Sequence, residues 1–208
     1  MNQEEIMYIQ RSIDQQLLEW KQSSVHKPLL LRGARQVGKS SAIRHLGETF
    51  KHYIEVNFEK RPELKELFEK TSDVHQLAAR LGMLYNVPIE AGKTLVFLDE
   101  IQACPEAIKS LWFFKEDFPE LHVVAAGSLL EFALKELTSY GVGRIRSLFM
   151  YPLSFDEFLQ AQGKALWIEE KRKADHDHPL FEALHQELVQ QYRTFLMVGG
   201  MPASVVAW

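Results

Sequence analysis

Near its amino terminus the chain carries a glycine-bearing segment whose residue types and spacing suit the binding of phosphate. Gly33 and Gly38 are separated by four residues, and Lys39 and Ser40 follow directly. Glycines let a backbone curl so that its N–H groups face inward around phosphate oxygens. A lysine in this place reaches the β- and γ-phosphates, and the serine hydroxyl is a ligand for Mg²⁺. The segment therefore predicts a loop that binds a nucleoside triphosphate with Mg²⁺.

The sequence on either side of this loop supports the interpretation. A short apolar run over residues 28–31 is typical of a buried strand, and residues 40–50 are predicted to form a helix. The amino end of that helix would add partial positive charge beside the phosphates. The alternative is an ordinary glycine turn, which this strand–loop–helix context disfavours. We expect the nucleotide to contact Gly33, Ala34, Arg35, Gln36, Val37, Gly38, Lys39, Ser40 and Ser41.

A second group with chemical potential is the acidic pair Asp99-Glu100, which follows the apolar run over residues 94–98. Such continuous runs are typical of strands buried on both faces of a parallel sheet. The carboxyl ends of these strands open onto the crevice that also holds the phosphate loop. We expect Asp99 and Ser40 to bind Mg²⁺, and Glu100 to act as the general base on the attacking water. A helix cap or a solvated turn is the alternative.

The acidic pair also helps to choose the nucleotide. Adjacent aspartate and glutamate suit ATP hydrolysis better than a GTPase switch, and the sequence has no Asn-Lys-x-Asp or Thr-Lys-x-Asp motif that would read guanine. The expected ligands are therefore ATP or ADP together with Mg²⁺.

Composition limits the classes of protein that the chain can belong to. Of its 208 residues, 46% are hydrophobic and 25% charged, with a net charge of −4. This balance is usual for a globular protein, and it provides no overall basic surface for nucleic acid, whose involvement stays open. The single cysteine, Cys104, excludes a disulfide within the chain. No apolar run reaches the roughly 20 residues that cross a membrane, so we expect a cytoplasmic protein.

The order of apolar runs and helical patterns predicts an α/β fold. Strands are expected over residues 28–31, 53–58, 94–98, 121–126 and 145–151. Helical patterns lie between them, including an amphipathic face from Ile6 to Trp20 and a helix over residues 129–137. We therefore predict a three-layer P-loop NTPase fold with a central parallel five-stranded sheet.

Helical patterns dominate after residue 153, which divides the chain. We predict a P-loop ATPase core with an N-terminal helix over residues 1–152 and a helical segment over residues 153–208. The last five residues, Ser204 to Trp208, are mostly apolar. A terminus is usually solvated, so we expect the helical segment to be the start of a truncated second domain.

An ordered set of motifs resembles a known group, the prokaryotic AAA+-type P-loop ATPases classed with the archaeal and signal-transduction ATPases. The resemblance extends from the N-terminal helix to Pro202. In chain order the motifs are Arg35-Gln36-Val37-Gly38-Lys39-Ser40, Leu98-Asp99-Glu100-Ile101-Gln102, Ala126-Gly127-Ser128, Gly143-Arg144, Tyr151-Pro152-Leu153-Ser154-Phe155-Asp156-Glu157-Phe158 and Gly200-Met201-Pro202.

The resemblance implies two further site residues. Ser128 stands where a polar sensor residue contacts the γ-phosphate or the water; alternatively, it only ends a strand and caps the next helix. Arg144 stands where an arginine follows a glycine in this group, and it is a candidate finger or sensor. Whether Arg144 acts in its own chain, on a second copy in a homo-oligomer, or only as a structural ion pair stays open. Members of the group usually continue into a C-terminal domain that is often nuclease-like.

Three functions are compatible with these residues. The first is an ATP hydrolase that drives a conformational change in an attached C-terminal domain, and Glu100 favours it. The second is a slow nucleotide-dependent switch that binds ATP without significant turnover. The third, a small-molecule kinase, ranks last because no arginine-rich lid or acceptor-binding motif is present in the sequence.

Overall fold

The computed structural model describes residues 8–128 and 143–208. They fall into two compact units, one formed by residues 15–150 and the other by the N-terminal residues up to Asp14 together with residues 151–208. Ile6 and the helix predicted over residues 129–137 lie outside the described residues. The predicted domain boundary near Pro152 stays a prediction.

The unit formed by residues 15–150 is organised around a parallel sheet. Its strands run along the sheet in the order β2-β3-β4-β1-β5, and every neighbouring pair is parallel. This confirms the predicted α/β fold with a central parallel five-stranded sheet. The strands are β1 Leu29–Arg32, β2 His52–Asn57, β3 Thr94–Asp99, β4 His122–Ala126 and β5 Arg146–Phe149.

Strand order decides which loops can meet. β4 lies between β1 and β3, and its residue Ala125 pairs with Leu30 on one side and with Leu98 on the other. Because the strands are parallel, the carboxyl ends of all three lie at the same edge of the sheet. The loop after β1 and the acidic pair after β3 are thus brought to one place.

Helices of the unit formed by residues 15–150 cover both faces of its sheet, so this unit has three layers. In chain order the helices of the described residues are α1 Ile13–Gln22, α2 Lys39–Gly47, α3 Lys65–Glu69, α4 Val74–Tyr85, α5 Pro105–Asp117, α6 Phe155–Ala161, α7 Ala165–Lys173, α8 Glu182–Val198 and α9 Pro202–Ala207. Two short 3₁₀ turns span Pro62–Leu64 and Ile101–Ala103. None of these helices is both long and apolar enough to cross a membrane.

Successive side chains of β2 point to opposite faces of the sheet, and the two faces pack against different helices. Ile54 and Val56 of β2 belong to the same buried cluster as α3, α4 and α5. Glu55, between them, points to the opposite face, where it binds Arg44 of α2 at 2.7 and 2.8 Å. Residues of β3 are buried on both faces, which explains the continuous apolar run in its sequence.

The helix α1 begins later than its apolar periodicity indicates. Among the described residues it starts at Ile13, although Ile9 continues the apolar pattern. The carboxylate of Asp14 accepts hydrogen bonds from the Arg11 backbone N–H at 2.8 Å and from the Tyr8 hydroxyl at 2.6 Å. These contacts satisfy donors ahead of the helix and fix its start.

The second unit is helical and contains a buried carboxylate. Glu157 of α6 is only 8% exposed, and it accepts hydrogen bonds from the backbone N–H groups of Ser12 and Ser154 at 2.7 and 2.8 Å. Arg11 completes an ion pair with it. Burial by itself raises the pKa of Glu157, but these donors outweigh burial and lower it. The same unit has a small apolar core of Leu159, Ile168, Leu184 and Leu188.

Two histidines are buried at the amino edge of the sheet, in the unit formed by residues 15–150. The rings of His26 and His122 stack with centroids 3.8 Å apart, and the Trp20 ring meets His122 edge-on at 5.2 Å. Burial lowers the pKa of His122 from 6.5 to about 4, and the neighbouring His26 adds to this shift. The folded protein therefore holds His122 neutral at pH values where the unfolded chain protonates it.

This burial predicts a specific sensitivity to acid. Because the pKa of His122 is lowered on folding, the contribution of His122 to folding stability is complete above pH 6.5. This contribution is lost as the pH falls from 6.5 towards 4. The loss amounts to at most about 3 kcal/mol. We expect His122→Phe, which keeps an aromatic ring but cannot titrate, to flatten this pH dependence in urea unfolding. The exposed control His176→Phe should leave it unchanged; an unchanged slope in His122→Phe would contradict the prediction.

Candidate functional site

The loop between β1 and α2 adopts the curled backbone that the sequence predicts. Gly33, Gln36 and Gly38 have φ values of 148°, 63° and 100°, all in a region that favours glycine. At Gly33 there is also no room for a side chain, since a Cβ would lie 2.2 Å from the backbone oxygen of Met150. The first glycine of the motif is therefore required by close approach as well as by conformation.

Lys39 is the first residue of α2 and is 9% exposed. Its Nζ donates hydrogen bonds to the backbone oxygens of Gly33 at 2.9 Å and Ala34 at 2.7 Å. Burial lowers the pKa of Lys39, while the carboxylates of Glu100 and Asp99 act in the opposite direction. The ammonium group thus lies over the start of the loop and within electrostatic range of the acidic pair.

Ser40 and Asp99 are brought into contact across the sheet edge. The Ser40 Oγ lies 3.1 Å from each carboxylate oxygen of Asp99, which is the last residue of β3 and is 4% exposed. Burial raises the pKa of Asp99, and hydrogen bonds from Ser40 and Asn57 oppose this rise. Two residues from separate motifs therefore present oxygen atoms to the same point.

Glu100 follows directly in a left-handed conformation, with φ 50° and ψ 45°. This geometry is uncommon for a residue other than glycine, asparagine or aspartate. It ends the strand abruptly and begins the 3₁₀ turn Ile101–Ala103. The Glu100 Oε2 accepts a hydrogen bond of 2.6 Å from the Nε2 of Gln102. The acidic pair is thereby divided, with Asp99 buried in the strand and Glu100 partly exposed beyond it.

Asn57 is a site residue that the sequence analysis missed. It ends β2 and pairs with Asp99 in the parallel register; its Nδ2 donates to Asp99 Oδ2 at 3.0 Å. Its Oδ1 accepts from the backbone N–H groups of Glu59 and Lys60 at 3.1 and 2.9 Å, which fixes the orientation of the amide. A polar residue near the carboxyl end of the second predicted strand was the available signal.

The remaining predicted residues lie in different surroundings. Ser128 comes two residues after the end of β4 and is 5% exposed, at the same edge of the sheet as the loop. Arg35, Gln36 and Ser41 are exposed, whereas Val37 is buried.

Arg144 lies near the amino ends of the strands, opposite to the end where the phosphate loop lies. It precedes β5, whose first residue Arg146 pairs with Leu29 at the start of β1. The distance along β5 to the level of the loop is roughly 15 Å. Arg144 Nε donates to Glu116 Oε1 at 2.8 Å, and its guanidinium lies 4.6 Å from the centroid of the Trp112 ring. The structure does not bring Arg144 to the phosphate loop of its own chain.

The oxygen atoms of Ser40 and Asp99 fit Mg²⁺. This ion prefers oxygen ligands and keeps several waters, so that one or two protein groups together with phosphate oxygens complete its shell. Within residues 8–128 and 143–208 the structure has no cluster of three or more His, Cys, Asp or Glu side chains that could hold a metal.

Most of the chain matches a known protein family. Residues 25–159, well over half of the chain, match the AAA domain family. The chain belongs to the AAA domain family. This confirms the coarser part of the resemblance, a P-loop ATPase of the AAA type, whereas the archaeal grouping and the nuclease-like domain stay predictions. None of the curated proteins matches the chain.

A solved structure shares the fold. A Walker-type ATPase of Pyrococcus abyssi superimposes with a TM-score of 0.58 at 20% sequence identity, over 96% of this chain and 66% of the other. At this identity the likeness supports the P-loop NTPase fold alone. The present chain spans 66% of the length of that ATPase chain.

The close contact at Gly33 can be tested by adding one methyl group. Gly33→Ala combines an unfavourable φ with a clash against backbone, so we expect it to destabilise the protein by at least about 3 kcal/mol. The control is Gly92→Ala, because Gly92 also has a positive φ of 72° but nothing within 4 Å of an added Cβ. That control should cost about 1–2 kcal/mol. Equal losses in denaturant unfolding would show that the contact with Met150 is unimportant.

Proposed function

We propose that this AAA domain binds ATP with Mg²⁺ and hydrolyses it to ADP and phosphate. The observation that carries the proposal is the contact between Ser40 and both carboxylate oxygens of Asp99 at 3.1 Å. It joins the predicted phosphate loop to the predicted acidic pair at the edge of the sheet where ligands bind in parallel α/β folds. The match to the AAA domain family supports the same function.

Binding would depend on the loop and on Lys39. Phosphate oxygens carry more charge than backbone carbonyls, so the Lys39 ammonium would exchange its bonds to Gly33 and Ala34 for charge-assisted bonds to the β- and γ-phosphates. The curled loop and the amino end of α2 would supply N–H donors. Ser40 and Asp99 would hold Mg²⁺, which when bound neutralises charge on the phosphates.

Hydrolysis would depend on Glu100. Its carboxylate would take a proton from the attacking water, whose oxygen forms a bond to the γ-phosphorus as the bond to the β–γ bridging oxygen breaks. Glu100 lies beside Asp99 but is partly exposed, so its side chain is accessible to water. Ser128 would contact the γ-phosphate or the water, supported by its place after β4 at the same edge.

Arg144 has a different part in this proposal. Its ion pair with Glu116 and its contact with Trp112 favour a structural role in its own chain. A role as a finger would then require a second copy of the chain, whose nucleotide it would approach in a homo-oligomer.

We propose that ATP hydrolysis drives a conformational change in an attached C-terminal domain, as the resemblance to AAA+-type ATPases implies. A cytoplasmic location is proposed on the same basis. The slow switch remains the alternative function, and the turnover number of the parent protein distinguishes the two.

Lys39→Ala tests nucleotide binding. Loss of two or more charge-assisted hydrogen bonds should weaken the affinity for Mg²⁺-ATP and Mg²⁺-ADP by about 100-fold or more, measured by titration calorimetry. The matched control is Lys51→Ala, which removes an exposed lysine that precedes β2 at the amino edge. Retained affinity in Lys39→Ala would refute the binding site.

Glu100→Gln tests hydrolysis separately. The substitution removes a base and no phosphate contact, so kcat should fall by about 10²- to 10⁴-fold while ATP affinity is kept. The control Glu106→Gln changes a surface carboxylate of α5 that pairs with Lys109 and should keep the parent rate. A parent protein that binds ATP without turnover would indicate the slow switch, and parent-like turnover in Glu100→Gln would exclude Glu100 as the base.

A further inference from the structure

The side chain of Gln102 contacts Glu100, the proposed general base. Its Nε2 donates to the Glu100 carboxylate at 2.6 Å, a short distance for a hydrogen bond from an amide. Asp99 is held by Ser40 and Asn57 instead. The two carboxylates of the acidic pair therefore have separate partners.

The local backbone holds Gln102 in this place. Glu100 is in the left-handed conformation, and the turn that follows is closed by hydrogen bonds from Ala103 N–H to Glu100 O at 3.0 Å and from Cys104 N–H to Ile101 O at 2.9 Å. Ile101 and Cys104, on either side of Gln102, belong to the buried cluster that also contains Ile54 and Val56. With its neighbours anchored, the glutamine side chain is directed back to Glu100.

The other end of the same amide is not satisfied. Gln102 Oε1 is buried and has no hydrogen-bond partner among the described residues. Burial of an unpaired acceptor lowers stability, and such groups in folded proteins call for an explanation. The amide of Asn57 differs, since its oxygen caps two backbone N–H groups. A structural role therefore explains the side-chain contacts of Asn57, but it does not explain the buried, unpaired oxygen of Gln102.

We propose that Gln102 is a positioning residue for Glu100, which it orients through Oε2 so that Oε1 accepts the proton of the attacking water. The inference rests on the proposed ATP hydrolysis and adds to it the residue that orients the base. An oriented carboxylate raises kcat, because productive geometry no longer has to be found by rotation.

Gln102→Leu separates positioning from a structural role. The substitution nearly conserves shape, deletes the donor and removes the unpaired buried acceptor. We expect kcat for ATP to fall about 10-fold or more, as for loss of one hydrogen bond to a charged group. KM, ATP affinity and thermal stability should stay at parent values. The control Gln76→Leu, at an exposed glutamine of α4, should change neither kcat nor affinity.

The double variant Glu100→Gln/Gln102→Leu decides whether the two residues act together. If Gln102 acts through Glu100, the double variant should hydrolyse ATP no more slowly than Glu100→Gln. Parent-like or increased kcat in Gln102→Leu, a joint loss of stability and affinity, or an additive loss in the double variant would overturn the proposal. Parent-like turnover in Glu100→Gln would instead overturn the assignment of the base, so the two failures are distinguishable.

Discussion

The candidate site depends on the parallel alignment of β1, β4 and β3. Residues that are far apart in the chain, Ser40 and Asp99, meet only because these strands end at the same edge. The insertion of β4 between the other two also sets the spacing, so that the first residues of α2 can reach across to the end of β3. Side chains buried on both faces of the central strands hold this alignment.

The charged side chains buried at this edge are stabilised by hydrogen bonds and by opposite charges nearby. Lys39 and Asp99 are both largely buried, and each has hydrogen-bond partners in addition to its electrostatic neighbours. Isolated buried charges would be costly. Here opposite charges and fixed donors or acceptors lie together, which gives a preorganised arrangement of polar groups where an anionic ligand with a cation would bind.

The two edges of the sheet have different physical roles. The carboxyl edge carries left-handed backbone at Gln36 and Glu100, a conformation that is uncommon for residues of these types. The amino edge carries the stacked histidines and the ion pair of Arg144 with Glu116. The contacts at the amino edge contribute stability, whereas the polar groups of the candidate site lie at the carboxyl edge.

Local sequence patterns determined much of this protein. The alternation of apolar runs with helical periodicity predicts the five parallel strands, and the glycine–lysine–serine spacing predicts the curled loop, since both follow from the properties of short segments. Tertiary structure alone decided the strand order, the contact of Asn57 with Asp99 and the place of Arg144 away from the loop. These features arise from packing between segments that are distant in sequence, which no local pattern encodes. The same reason explains Gly33, whose sequence position predicts a turn but whose contact with Met150 exists only once β5 lies beside β1.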